Sequence, residues 1–263
     1  IYIRQVPLTR AVHWLKMGWS DLVRCGQLSL VQGMVMAAFG LGLIWLGHDR
    51  FWLLAGAFSG FMVVAPFLAT SLYALSRAIE YKQAINKQVL LNTWLNWQHY
   101  RKSDPSAYWS VLRFGILLAW AATGWVVCSA ALITLLAPGK VNTPIDFFQY
   151  IVLANHGLAF ELWLTLGGVL AAPIYASSVI AIPLLLDRRV PLAVAVEVSW
   201  RCVLQNPGLM ALWATVIMVL TCLGMVVVMM MLVVVILLLG HASWHAYRDL
   251  VVSDGLPLHP VQS

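Results

Sequence analysis

The chain has 263 residues, of which 62% are hydrophobic and only 10% are charged, whereas a soluble domain carries about 25% charged residues. A surface with so little charge excludes an ordinary water-soluble domain and predicts an all-α polytopic membrane protein. The net charge of +6 does not indicate a nucleic-acid partner, because the basic residues lie in the gaps between apolar runs, where membrane proteins carry them.

The apolar runs are long enough to predict six transmembrane helices. A hydrocarbon core about 30 Å thick needs roughly 20 apolar residues per helix. This criterion places spans at residues 28–47, 51–76, 114–137, 158–186, 208–224 and 227–247. The last two come from one apolar stretch after Asn206-Pro207. Because a single helix over that stretch would be about 60 Å long, we predict a turn in it near Gly224.

The segments before the hairpins predict amphipathic helices at the membrane surface, over residues 8–24, 79–101 and 191–205. In the first of these, apolar side chains recur with helical spacing, and the polar residues lie mostly opposite: Arg10, His13, Lys16, Asp21 and Arg24. A helix that is basic on one face and rich in Trp and Leu on the other is typical of the headgroup region. The architecture is therefore one unit used three times, an interfacial helix followed by a transmembrane hairpin.

The basic residues also predict the orientation. With six spans and a cytoplasmic N-terminus, fourteen of the sixteen Lys and Arg residues fall on the cytoplasmic side, and only Arg50 and Lys140 fall outside. Such a bias places both termini in the cytoplasm. A five-span chain would lose only Arg248 from that side, so the number of spans is less firmly indicated than the orientation. We expect the protein in the bacterial inner (cytoplasmic) membrane.

Two spans carry a similar segment that predicts an internal parallel repeat. Residues 65–71 read Ala-Pro-Phe-Leu-Ala-Thr-Ser and residues 172–178 read Ala-Pro-Ile-Tyr-Ala-Ser-Ser. Five of the seven positions are identical or exchange Thr for Ser, and both copies occupy the same place in hairpins of the same orientation. The third hairpin has the same organisation without a clear match.

Several short motifs together resemble a known family. They are Trp14-Leu15, Gly18-Trp19-Ser20-Asp21-Leu22, Phe58-Ser59-Gly60-Phe61, Ala65-Pro66, Leu72-Tyr73, Ser76-Arg77, Glu80, Asn206-Pro207, Trp213-Ala214 and the run from Gly240 to Leu250. Over nearly the whole chain, this set resembles the bacterial integral membrane family called domain of unknown function 2189. Ala74 departs from the family, whose members usually carry an acidic residue there. The resemblance implies an inner-membrane protein of six helices and implies no activity.

His241 and His245 are the candidate metal ligands. Their i,i+4 spacing puts two imidazoles on one helix face, which suits zinc or copper and could present an axial haem ligand. Asp249 lies one turn further on, and His13 could approach from the first amphipathic helix. The alternative is a normal helix end, because aromatic, basic and His residues are common at the membrane surface. We expect no bound cofactor, with haem or a transition metal as the alternative.

The proline positions of the repeat are a second candidate site. A proline within a span frees the carbonyl four residues earlier, and neighbouring hydroxyls can use it. Paired broken helices form the central site of many transporters. The candidate residues are Pro66, Thr70, Ser71, Pro173, Ser177 and Ser178. Kinked helices are also common in membrane proteins that transport nothing.

The motifs of soluble enzymes are absent from the sequence. It has no P-loop, GxSxG, HExxH or dinucleotide-binding glycine cluster, and we expect no enzymatic activity. The sequence favours a non-enzymatic accessory or structural component that packs against lipid and against other membrane proteins or itself. The alternatives are a small-solute transporter or channel at the proline kinks and a redox accessory protein that uses the His pair.

Overall fold

We describe a computed structural model of the chain. It describes residues 1–47, 52, 54, 56–57, 69–95, 105–153, 158–227, 229–253 and 255–258. The helices are α1 (Arg10–Cys25), α2 (Gln27–Gly47), α3 (Thr70–Glu80), α4 (Lys87–Leu95), α5 (Pro105–Leu136), α6 (Pro144–Phe147), α7 (Ala159–Ser178), α8 (Ala181–Asp187), α9 (Leu192–Gln205), α10 (Pro207–Val227) and α11 (Met229–Leu250), with a π-helical turn at Phe148–Val152. Strands β1 (Tyr2–Ile3) and β2 (Val251–Val252) pair antiparallel, so that Tyr2 lies opposite Val252.

The prediction of an all-α membrane protein is confirmed, and the described residues contain four helices long and apolar enough to span a membrane. They are Arg113–Leu136, Ala159–Asp187, Pro207–Gly224 and Met231–Leu250. A fifth candidate is the pair Arg10–Cys25 and Gln27–Gly42, which is bent by 101°. The predicted span at 51–76 lies mostly outside the described residues.

Two helix boundaries differ in detail from the sequence prediction. The segment predicted as one span at 158–186 consists of α7 and α8, with a break at Val179 and Ile180. The backbone N–H of Ile180 donates to Ser199 Oγ at 3.1 Å, which satisfies a donor that the break would leave unpaired. Gly224 lies within α10 rather than at a turn, and a Cβ there would lie 3.0 Å from Leu232 Cα. It therefore lets α10 and α11 approach closely.

The chain forms two compact units. The first comprises residues 1–37, 66–114 and 176–263, and the second comprises residues 38–65 and 115–175. Each unit collects segments that are distant in sequence, as helical hairpins packed side by side require.

In the first unit, α1 packs along the C-terminal half of α11. Its buried residues recur at helical spacing and form one stripe: Ala11, Trp14, Gly18, Asp21 and Cys25. A Cβ at Gly18 would lie 2.7 Å from the Ala242 nitrogen, so the two backbones meet there. On another face of α1, Val12, Trp19 and Val23 are exposed. Asp21 therefore lies on the buried face and not opposite the apolar residues, because the contacting face consists mainly of small residues.

In the second unit, α5 and α7 pack antiparallel. Trp125 of α5 covers Gly167 of α7, and the Trp163 indole Nε1 donates to Ser129 Oγ at 2.7 Å. A small core of Ile133, Val141, Ile151 and Ala159 closes one end of this pair. Thr143 and Asp146 cap α6 reciprocally: the Asp146 N–H donates to Thr143 Oγ1 at 3.1 Å, and Asp146 Oδ2 accepts the Thr143 N–H at 2.8 Å. These backbone and hydroxyl donors lower the pKa of Asp146.

Candidate functional site

The last three turns of α11, residues 240–250, connect most of the other helices in the first unit. Most of these eleven residues bond to another element or come unusually close to one. The same run is the most specific motif of the sequence. The polar and aromatic side chains of this run are therefore engaged mainly in contacts with other parts of the protein.

Five side chains form a hydrogen-bonded group that we call the Asp21 cluster: Asp21, Ser29, Ser76 and His241 are buried, and His245 is partly buried. His241, which is fully buried, lies 2.9 Å from Ser29 Oγ through Nε2 and 2.8 Å from Ser76 Oγ through Nδ1. The Ser76 hydroxyl donates to Asp21 Oδ2 at 2.7 Å. His245 Nε2 lies 2.8 Å from the same carboxylate oxygen. The cluster thus joins α1, α2, α3 and α11.

The hydrogen bonds assign the protons within the cluster. Ser76 has one hydrogen, which it donates to Asp21 Oδ2, so Ser76 Oγ must accept from His241 Nδ1–H. When the His241 imidazole is neutral, its Nε2 is the acceptor, and Ser29 donates to it. His245 Nε2 carries a hydrogen because the carboxylate can only accept.

The predicted His pair therefore bonds to hydroxyl and carboxylate groups. Its neighbouring carboxylate is Asp21, since Asp249 instead accepts the Arg10 Nε–H at 2.6 Å and the Trp14 Nε1–H at 2.9 Å. His13 is exposed. Among the described residues, no group of three His, Cys, Asp or Glu side chains could hold a metal ion. Metal or haem binding stays a prediction.

Three other carboxylates share one binding pattern, and we call them the clamp carboxylates: Glu80, Asp187 and Asp249. Each ends or nearly ends a helix, and each accepts at least one hydrogen bond from an aromatic side chain and at least one from an arginine. Glu80 accepts from Trp244 Nε1 at 2.8 Å and from Arg248 Nε at 2.7 Å. Asp187 accepts from Tyr247 OH at 2.8 Å and from Arg77 Nε at 2.9 Å. The partners of Asp249 are Trp14 and Arg10.

Asp187 is the most enclosed clamp carboxylate. It is fully buried and also accepts from Arg188 Nε at 3.1 Å. Arg188 in turn donates to the Leu256 carbonyl at 2.7 Å, which ties down the segment after β2. Burial, together with the negative charge of Asp187, raises the pKa of the adjacent Tyr81 hydroxyl. This hydroxyl stays protonated and donates to Asp187 at 3.3 Å.

The predicted kink residues do not line the described cavity. Pro66 lies outside the described residues, and Pro173 is an exposed residue within α7. Thr70, Ser71 and Ser178 are buried. Ser177 Oγ accepts the Trp200 indole N–H at 2.9 Å. A cavity of about 540 Å³ lies elsewhere, beside residues 2–6 and Gln205. A transport site at the kinks stays a prediction.

The sequence reasoning missed Asp21, Ser29, Ser76 and Asp187 as members of buried networks. The available signal was the spacing of small residues: Ala11, Gly18 and Cys25 mark the face of α1 that packs closely, and Asp21 falls on that face. If only large apolar side chains are considered, the opposite face of α1 is predicted to be buried. That face is exposed at Val12, Trp19 and Val23.

The long apolar helices define an α-helical integral membrane protein. The chain belongs to the family of predicted integral membrane proteins called DUF2189, whose sequence model matches residues 53–187. This confirms the resemblance noted from the motifs. The matched region contains Ser76, Arg77, Glu80 and Asp187, whereas the α11 motif lies beyond it. No curated protein and no solved structure matches the chain.

Proposed function

We propose that the protein is a non-enzymatic accessory or structural component of the bacterial inner membrane, which assembles with other membrane proteins or with a second copy of itself. The observation that best supports this proposal is that most of α5 is exposed. In the most apolar window of Arg113–Leu136, only 22% of the residues are buried, and Leu117, Trp120, Val127 and Leu135 are exposed. In the first unit, by contrast, the clamp carboxylates and their arginines bond to one another.

The glycines of α5 and α7 favour protein contact in addition to lipid contact. Lipid tails can cover apolar side chains, so exposed Leu and Val require no partner. Small residues are different, because they let helix backbones approach closely in a membrane. A Cβ at Gly124 or at Gly168 would meet no atom within 4 Å. These positions therefore present backbone that another helix can reach.

The packing of α2 and α3 against α11 supports six spans. Ser29 bonds to His241 and Gly33 lies against Leu237 and Val233, so α2 runs antiparallel to α11. Gly47 follows Ser29 by 18 positions, which correspond to about 27 Å along a helix. Leu72 of α3 lies against Gly240, at the level where α2 begins. This return fits the six-span arrangement, in which the predicted span at 51–76 connects α2 to α3.

The paired strands support an even number of spans with both termini on one side. Tyr2 and Ile3 pair with Val252 and Val251, and the backbone N–H of Arg4 donates to the Leu250 carbonyl at 2.8 Å. We infer that this side is the cytoplasm, since fourteen of the sixteen basic residues fall there in the six-span arrangement.

The clamp carboxylates support an internal repeat of three hairpins. Pro173 follows Pro66 by 107 residues, and Asp187 follows Glu80 by the same 107 residues. The two carboxylates therefore occupy equivalent repeat positions and accept the same kinds of hydrogen bond. Asp249 has the same pair of partners at the end of the third hairpin.

The assembly is tested by isolating tagged protein from native membranes in a mild detergent. We expect it to carry other membrane proteins or to have the mass of a defined homo-oligomer by light scattering. Gly124→Leu adds a side chain in open space, so the variant should fold as the wild type does and lose most of the associated protein. Gly255→Leu, at an open glycine outside the helices, is the matched control and should retain it. A wild-type protein that elutes as a lone monomer would contradict the proposal.

A further inference from the structure

Helix α1 has an exposed face, opposite the stripe that packs against α11. Val12, Trp19 and Val23 lie seven and four residues apart, so they form one ridge along this face, and each is more than half exposed. The exposed Lys16 follows Val12 by four residues and precedes Trp19 by three, so it lies within the ridge. Arg24, which is also exposed, ends the ridge beside Val23. We call these five residues the α1 ridge.

Contacts on the other side of α1 fix the direction in which the α1 ridge points. A Cβ at Gly18 would lie 2.7 Å from the Ala242 nitrogen, so α1 and α11 touch through their backbones. The Trp14 ring packs edge-on against the Trp213 ring of α10, with 5.4 Å between the ring centroids, and both rings are fully buried. Turning the ridge inward would break both contacts. The α1 ridge is therefore a fixed outer surface of the first unit.

The α1 ridge carries positive charge that the described part of the protein does not neutralise. The one acidic residue of α1 is Asp21, which is buried on the opposite side of the helix. Among the described residues, no carboxylate forms an ion pair with Lys16 or Arg24, whereas Arg10 at the start of the helix pairs with Asp249. The ridge therefore presents two positive charges and no negative one.

A surface that is both apolar and basic suits one environment best, the boundary between lipid headgroups and acyl chains. Water hydrates Lys16 and Arg24 but leaves the large apolar side chains exposed, and hydrocarbon does the reverse. At the boundary, the stem of a lysine lies along the apolar surface while its ammonium reaches a phosphate. Tryptophan also favours this depth. The bend of 101° between α1 and the start of α2 directs α1 along this boundary when α2 crosses the bilayer.

We propose that the α1 ridge binds anionic phospholipids. Its apolar members contact the acyl chains, and Lys16 and Arg24 each bind a phosphate group. Arg24 follows Lys16 by eight positions, about 12 Å along a helix, so the two cations reach different headgroups. An acidic protein fits less well, because it would have to bury carboxylates in an apolar contact, whereas a lipid presents phosphate and acyl chain side by side. The inference requires that α2 crosses the membrane and is independent of assembly with other proteins.

The test measures which lipid lies beside Lys16. The exposed Cys128 and Cys222 are replaced by Ser, and the thiol introduced by Val12→Cys is labelled with a nitrobenzoxadiazole fluorophore. The labelled protein is reconstituted in bilayers of equal amounts of phosphatidylglycerol and phosphatidylcholine, in which one lipid or the other has brominated acyl chains. Bromine quenches the fluorophore only at short range, so the ratio of the two quenching efficiencies gives the relative occupancy of the two lipids at this site. We expect phosphatidylglycerol to be favoured about fivefold, because a basic side chain near an anionic surface contributes ~1 kcal/mol.

Lys16→Gln removes the charge next to the label and should lower this preference about fivefold, whereas Lys16→Arg keeps the charge and should keep the preference. Lys140→Gln, which removes an exposed lysine outside α1, is the matched control and should leave the preference unchanged. Equal quenching by the two lipids before substitution at Lys16, or a preference that survives Lys16→Gln, would overturn the proposal. Quenching by neither lipid would also overturn it and would favour a protein as the occupant of the ridge.

Discussion

Gly18 and Gly240 allow α11 to lie unusually close to its two neighbours in the first unit. At Gly18, the nearest atoms to an added Cβ are the backbone nitrogen and Cα of Ala242 at 2.7 and 2.9 Å. At Gly240, the nearest atoms belong to the Leu72 side chain. The first contact involves backbone on both sides and cannot relax by a rotamer change. It brings Asp21 within reach of His245.

The substitution Gly18→Ala is expected to destabilise the folded protein by about 1–3 kcal/mol, because the new methyl group forces two helix backbones apart. The measurement is the free energy of unfolding in detergent. Gly40→Ala is the matched control, since a Cβ at Gly40 meets no atom within 4 Å, and this variant should lose no stability. Equal effects of the two substitutions would contradict the close contact.

The C-terminal half of α11 acts as a clamp for helices that reach it from different parts of the sequence. Trp244 and Arg248 hold the end of α3 through Glu80, and Tyr247 holds the end of α8 through Asp187. Aromatic donors suit this position, because their rings bury apolar surface and their N–H or O–H groups reach a carboxylate. The bonds fix the helix ends and not the middles of the spans.

The strength of the clamp is tested at Asp187. Asp187→Asn removes the negative charge that Arg77 and Arg188 share and should cost about 3–5 kcal/mol in the free energy of unfolding. Tyr247→Phe removes one hydrogen bond to that carboxylate and should cost about 1.5–3 kcal/mol. Because both variants act on one network, their double variant should cost less than the sum. Additive losses would show that Asp187 and Tyr247 act independently.

The sequence predicted the parts of the fold that depend on length and composition. Apolar runs such as 114–137 and 208–224 identified helices, because a bilayer imposes a minimum span. The networks could not be predicted in the same way. Ser76 is 55 residues from Asp21 and 165 residues from His241 along the chain. These three side chains come together only because the helices pack against one another. The break at Val179 also depends on a distant hydroxyl, that of Ser199.

The strand pair and the antiparallel helices together constrain how the whole chain crosses the bilayer. Residues 2–3 and 251–252 are bonded to each other, so they must lie on one side of the membrane. The loop that holds Asn142 and Thr143 follows the end of α5, whose candidate span is Arg113–Leu136. If the chain has six spans, we expect this loop on the side of the membrane opposite the termini.

Thiol labelling from each side of the membrane tests this arrangement. The exposed Cys128 and Cys222 are replaced by Ser, while the buried Cys25 and Cys202 stay in place. Single cysteines are then introduced by Tyr2→Cys, Gly255→Cys or Asn142→Cys, at positions that are exposed. A membrane-impermeant maleimide should label the first two in inside-out vesicles and the third in intact spheroplasts, because an even number of spans returns the chain to its starting side. Labelling of residues 2 and 255 from opposite sides would require an odd number of spans and would be incompatible with the paired strands.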